Sequence, residues 1–181
     1  MNPFELTEEQ FNELVRLCGL YRREAKKCMQ AKSYVAGCVM IGAAMEADLT
    51  AMCHCYSDEI SKELIPRKNG KPKHILKWSF FDLLKVARKC EWLPARLSLQ
   101  EEWNQKKAEI GDWAEVVRQF RNLVHPSWYI SIFPKSRITK NRMEMCFEVA
   151  EVAGNYYLAK LSKSIKAAIS KAEKRKVNDH V

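Results

Sequence analysis

The sequence predicts an all-α fold, an antiparallel up-and-down helical bundle, from three observations. Apolar residues recur at helical spacing over most of the 181 residues, while strand-like alternation is scarce. Glycine and proline number only six each, and a composition 47% hydrophobic and 29% charged suits a folded, helix-rich chain. Helix starts are also marked: Thr7 with Gln10, Ser79 with Asp82, Ser98 with Glu101 and Asp112 with Glu115 have the spacing at which a residue pair caps a first turn.

Thr7 opens a first helix predicted over 8–29, carried by Phe11, Leu14, Val15 and Cys18 with a polar outer face. A second helix is expected from Ser33 to about residue 56. Its stretch from Tyr34 to Met45 is apolar on every side, which places it through the middle of the core. Ala36, Gly37, Gly42, Ala43 and Ala44 would let neighbouring helices come close to it. Pro66 to Lys73, with two prolines, one glycine and four basic residues, reads as an exposed loop that touches phosphates or is merely solvated. Ser79 starts a third helix to about Cys90, stopped near Pro94, and Ser98 starts a further short helical stretch before Gly111 interrupts. Asp112 starts the next helix, which Pro126 ends by disfavouring helical geometry at His125. After an irregular connection from Trp128 to Ile138, Thr139 caps a long last helix through Met143, Cys146, Val149, Ala153, Tyr157 and Leu161, fading into a basic tail at Lys171 to Lys176.

No repeat at solenoid period and no low-complexity linker divides the chain, so residues 1–181 read as a single helical domain, with 171–181 a basic tail open to disorder. Thirty-one Lys and Arg against twenty-two Asp and Glu give a net charge of +9, which favours polyanions such as nucleic acid or an acidic membrane surface. Solubility is the plain alternative. Seven cysteines, an odd number at irregular spacing, sit mostly within apolar helical patterns and read as reduced core thiols, with no disulfide framework implied. Met1 to Leu6 has neither the basic start nor the apolar core of a signal peptide. The longest apolar run, about twelve residues, is shorter than the roughly twenty of a membrane span, so a soluble cytoplasmic protein is expected.

The segment Arg118-Gln119-Phe120-Arg121-Asn122-Leu123-Val124-His125-Pro126 concentrates the chemistry. At 100° per residue, Trp113, Val116, Val117, Phe120, Leu123 and Val124 form one apolar face. Arg118, Arg121, Asn122 and His125 are centred roughly 150° away from it, with Ala114 the small residue beside them. Arginine carries a permanent charge shaped for phosphate, and histidine moves a proton near neutral pH, so this stripe holds two of the parts needed to cleave RNA without a metal.

An antiparallel helical domain with Arg121-Asn122 and His125-Pro126 at the end of a late helix resembles the HEPN superfamily, helical nuclease and nucleotide-binding domains of bacterial toxins and antiviral systems. Glu46, in the small-residue context from Gly42 to Ala47, supports the likeness. Active members are typically metal-independent endoribonucleases that dimerise so that their Arg-His motifs face one another. The resemblance therefore implies RNA as substrate, no cofactor or metal, a homodimer with facing motif helices, and a toxin-antitoxin or phage-defence setting with an antitoxin or nucleotidyltransferase as further partner. The family usually separates its Arg and His by four to six residues, often with a polar residue directly after the Arg. From Arg121 three residues intervene and from Arg118 six, whereas Asn122 supplies the polar neighbour of Arg121. Arg121 and His125 are accordingly the expected catalytic pair, with Arg118 a second phosphate contact. Some members carry, two residues after the His, a Tyr that a nucleotidyltransferase modifies; Ser127 stands there, with Tyr129 two positions later.

RNA cleavage needs a proton taken from the ribose 2′-OH, charge stabilised on the phosphorane and a proton given to the departing 5′ oxygen. His125 is the expected acid or base, Arg121 the phosphate clamp and Asn122 a ribose or phosphate contact. Glu46 and Asp48 are the ionisable acids in an otherwise apolar stretch, and a buried carboxylate requires a donor, so Glu46 is expected to orient Arg121 or His125. The plain reading of Arg121 and His125 is a solvated stripe or a helix-end ion pair. Cys53-His54-Cys55 looks like a metal cluster, but alternate helical residues point apart, so core residues are the preferred reading. Trp103, Trp113, Trp128 and Tyr129 are aromatic groups able to stack bases. The competing function is a non-catalytic HEPN-like module that binds RNA, a nucleotide or a partner protein. No Gly-rich phosphate loop, Ser-His-Asp set or paired-carboxylate signature supports an ATPase, hydrolase or glycosidase.

Overall fold

A computed structural model describes the backbone of residues 2–93, 110–127, 130 and 138–178, and the side chains of these residues except 110–113 and 167–178. The described chain is mainly helical, as expected, in the order α1 (Glu8–Gln30), α2 (Tyr34–Cys55), β1 (Arg67–Lys68), β2 (Lys71–Pro72), α3 (Phe80–Lys89), α4 (Ile110–Arg121) and α5 (Lys140–Asn178). Short 3₁₀ turns link several of them.

Helix α1 begins where its sequence says, since the Thr7 hydroxyl accepts from the Gln10 N–H while the Gln10 side chain accepts from the Thr7 N–H. A three-residue link, with Lys32 at φ 57°, turns the chain back into α2. Helix α2 is the centre of the fold: eleven of its 22 residues are buried and they lie all round it, so α1, α3, α4 and α5 each pack against a different side. By length and composition α2 would also pass for a membrane span, at 22 residues rather than the shorter run expected, but here other helices cover much of it. Its glycines set the approach of two neighbours. A Cβ at Gly37 would fall 1.8 Å from the Met143 methyl of α5, and one at Gly42 would fall 2.5 Å from the Arg121 Cβ of α4.

The basic segment after α2 departs from the loop expected. Arg67–Lys68 pairs antiparallel with Lys71–Pro72, and Asn69 and Gly70 supply the positive φ values, 53° and 74°, that a tight hairpin turn demands. Its basic side chains at Arg67, Lys68 and Lys71 are exposed. Helix α3 begins with the capping box of Ser79 and Asp82, and Lys73 ties the hairpin to that cap through Asp82 at 3.3 Å. The helical stretch expected after Ser98 lies outside the described residues.

Helix α4 differs from expectation at both ends. It begins at Ile110 and runs through Gly111 and Asp112, so Asp112 is inside the helix and not its cap. The first four N–H groups of any helix lack intrahelical partners, which makes a glycine tolerable there. At the other end α-helix stops at Arg121, residues Asn122–Val124 form a 3₁₀ turn, and His125 is extended at φ −90°, ψ 115°. The residue before a proline avoids helical geometry, as expected at His125, but the preceding turn tightens as well. Of the connection expected to be irregular, Ile130 is helical and exposed and Ile138 buried and non-helical. Thr139 accepts from the Arg142 N–H at 3.5 Å at the start of α5. Lys171 to Lys176, expected to be a fading tail, continues α5 to Asn178; no Gly or Pro follows Gly154 to break it.

Candidate functional site at the end of α4

The side of α4 that carries Arg121 faces α2, not solvent. With no side chain at Gly42, the Arg121 Cβ can lie directly against the α2 backbone, and the guanidinium then meets Glu46, one turn further along α2. Arg121 Nη2 donates to Glu46 Oε2 at 2.6 Å, and Nη1 donates to Asn122 Oδ1 at 3.3 Å. Both side chains are half-buried, at 31% and 23% exposure, where such a pair is screened less than at an open surface. Glu46 thus orients Arg121, one of the two roles expected for it. The Asn122 amide oxygen accepts from Arg121, which leaves its NH2 group as the donor for the ribose or phosphate contact expected of it.

Arginine has five N–H donors, and two of those on Arg121 are engaged among the described residues. The remaining donors sit on a group whose plane is already fixed from two sides. Such a group can receive a phosphate oxygen without first losing the rotamer freedom of a loose arginine.

Arg118 is placed differently. Glu115, one turn earlier on α4, accepts from its Nε at 2.8 Å and its Nη2 at 2.5 Å, a two-pronged pairing whose hydrogen bonds raise the arginine's pKa. The guanidinium carbon lies 5.6 Å from the ring centre of Phe81, an exposed aromatic at the start of α3. Glu115, expected to cap a helix start with Asp112, pairs instead with Arg118, and the spacing of three between them is the sequence signal for this pair.

His125 is exposed, and its backbone N–H donates to the Asn122 carbonyl at 3.0 Å. The expected four-residue polar stripe is therefore corrected: Arg118 and Arg121 share helical geometry, Asn122 and His125 do not. Ala114, on the same side of α4 as Arg118 and Arg121, is fully buried. Val117, Phe120 and Leu123 are buried as expected, whereas Val124 is 58% exposed because the 3₁₀ turn rotates it outward. The side chain of Trp113, like Trp103, Trp128 and Tyr129, lies outside the described residues.

Other expected features resolve structurally. Cys53 is buried, His54 Nδ1 is 2.8 Å from the Phe4 carbonyl and Cys55 is exposed, so the three point apart. Of the seven cysteines, expected mostly in the core, Cys38, Cys53 and Cys146 are buried and the others are partly or fully accessible. Two further charged clusters join residues remote in the chain, which leaves no local signal in the sequence. Lys160 bonds both oxygens of Glu59 at 2.8 Å above the Tyr56 ring, with Trp92 Nε1 donating to the same carboxylate at 2.7 Å. Asp48 accepts from Arg22 Nη2 at 2.5 Å and from Cys18 Sγ at 2.8 Å.

Comparison with family models, with curated proteins and with solved structures finds no match to this chain.

Proposed function

We infer that the chain is a metal-independent endoribonuclease of HEPN type, cytoplasmic, acting as a homodimer with the ends of two α4 helices facing, in a toxin-antitoxin or phage-defence system. The observation that carries this reading is Arg121 itself, held at 2.6 Å by Glu46 and at 3.3 Å by Asn122 with donors to spare, four positions before an exposed His125. In the reaction a histidine removes the 2′-OH proton, the 2′ oxygen bonds to phosphorus, and the bond from phosphorus to the 5′ oxygen breaks as that oxygen receives a proton. The products are a 2′,3′-cyclic phosphate and a 5′-hydroxyl. Arg121 offsets the charge of the phosphorane, and His125 of a second copy supplies the other proton transfer across a facing dimer. Net charge +9 and the basic hairpin favour encounter with RNA.

A second reading, a non-catalytic module binding RNA, a nucleotide or a partner protein, is favoured by one observation: both arginines already have carboxylate partners. The two separate in a cleavage assay on structured and unstructured RNA in EDTA, with mapping of the new ends. Under the nuclease reading the wild type leaves cyclic phosphates, His125→Ala loses cleavage by about 10²-fold or more, and Arg121→Ala loses about 2–4 kcal/mol of transition-state stabilisation. Absence of cleavage across the RNA panel sinks the nuclease and leaves the binding module.

A further inference from the structure

Helices α1 and α5 both pack on α2 and leave a groove between them, a cavity of about 480 Å³. This lies within the range of roughly 300–1,000 Å³ typical of small-molecule sites. Its walls are apolar: Phe11 and Val15 from α1, Leu158 and Leu161 from α5, with Met52 of α2 as floor. Val15 and Leu158 are 54% and 65% exposed, so the wall opens to solvent. Phe11 and Arg22, eleven positions apart on α1, mark its two ends about 16 Å apart at 1.5 Å per residue.

The Arg22 end is polar. Arg22 reaches across to Asp48 at 2.5 Å, and its guanidinium rests on Gly154 of α5, where an added Cβ would come within 3.1 Å of Nη2. Tyr157 lines the same groove, and its buried hydroxyl has no hydrogen-bond partner among the described residues. Burial, with the Asp48 charge adding to it, pushes that phenol's pKa well up, so it stays protonated and within electrostatic reach of Asp48. A buried polar atom without a partner requires an explanation, and one in a cavity wall beside a carboxylate is accounted for by a ligand that bonds to it. The charged lining is Arg22, Asp48 and Glu151, one positive and two negative groups, so the polar end favours a cation. A docked helix could cover the apolar walls, but its side chains would have to carry such a group to the far end of the groove.

We propose that this groove is a binding site for a small primary amine with an apolar ring or chain, its ammonium set among Asp48, Glu151 and Tyr157 and its body along Phe11, Met52 and Leu158. An ammonium has three donors, enough for two carboxylates and the phenol oxygen at once. The site lies across α2 from Arg121, because Glu46 and Asp48 are two residues apart and so face opposite sides of the helix. It is independent of the ribonuclease reading.

The test uses tryptamine as probe, with indole and indole-3-propionate as neutral and anionic counterparts. Binding is followed by calorimetry and by the ¹³C-methyl NMR signal of Met52. Tryptamine should shift that signal and bind at least tenfold more tightly than either counterpart. Glu151→Gln, at an exposed position, should weaken it about fivefold, and Leu158→Arg should abolish it, while both variants retain α-helical circular dichroism. Equal binding of all three probes, or none by tryptamine, overturns the proposal. So does dissociation of a wild-type dimer by Leu158→Arg without any effect of tryptamine, which would make the groove a contact between copies of the chain.

Discussion

The two sides of α2 carry the same chemistry in different surroundings. On one side Glu46 holds Arg121 at 2.6 Å, and on the other Asp48 holds Arg22 at 2.5 Å. The exposures match as well, 23% and 31% against 24% and 32%. What differs is the space beside each pair. At Gly42 the missing side chain lets α4 close directly onto α2, so Arg121 lies at a helix end four residues before the exposed His125. On the Asp48 side α1 and α5 stand apart and leave a cavity with a buried, unpartnered phenol. Ion-pair length and burial therefore do not distinguish a site from a brace; the neighbouring groups do.

The largest expected effect breaks the tight side. Gly42→Val places a branched side chain where a single Cβ would already be 2.5 Å from the Arg121 Cβ. The helices must separate, at a cost of about 3 kcal/mol in urea unfolding, the upper part of the usual range for overpacking. A cost below about 1 kcal/mol would mean that α4 approaches less closely than described.

A smaller effect sharpens the comparison. Because the two pairs are alike, Glu46→Gln and Asp48→Asn should each destabilise by about 1–2 kcal/mol. Under the nuclease reading only Glu46→Gln should also lower RNA cleavage at a temperature where both variants are fully folded. Equal losses of cleavage would reduce Glu46 to a structural partner like Asp48.

The smallest effect is a pH slope on the Asp48 side. Burial, followed by the Asp48 carboxylate, raises the Cys18 thiol from its ordinary 9.0 to about 11. The folded state then holds this proton more tightly than the unfolded state. Its contribution is complete below pH 9 and declines as pH rises towards 11. Urea midpoints should fall over that interval, and less steeply in Cys18→Ser. The partial exposure of the thiol keeps the effect modest. An unchanged slope in the variant would assign the decline to other groups.

Much of the frame was legible because its causes are local. Thr7 with Gln10 and Ser79 with Asp82 are short-range capping pairs, and both form. The all-round apolarity of α2 allowed no position but a central one. Legibility failed where neighbours in space decide the outcome. Asn69-Gly70 is a hairpin signal that was subordinated to the prolines and charges flanking it, and the helical wheel carried His125 one turn beyond where the α-helix ends. Glu46 was recognisable as a carboxylate in need of a donor, and Arg121 proved to be that donor. Arg22, Cys18 and Tyr157 gave no such signal, since each alone looks like an ordinary helical residue.

The sequence by itself determined the helical class, the central helix, the capped starts of α1 and α3, and the grouping of Arg121, Asn122 and His125 at the end of a late helix. Those properties depend on residue type and on spacing within a few turns. Only the tertiary structure decided that Arg121 turns inward to Glu46 while His125 stays exposed, and that Asp48 lines a groove. Each of these depends on how closely two helices pack, which is set by small residues and side-chain volumes far apart in the chain.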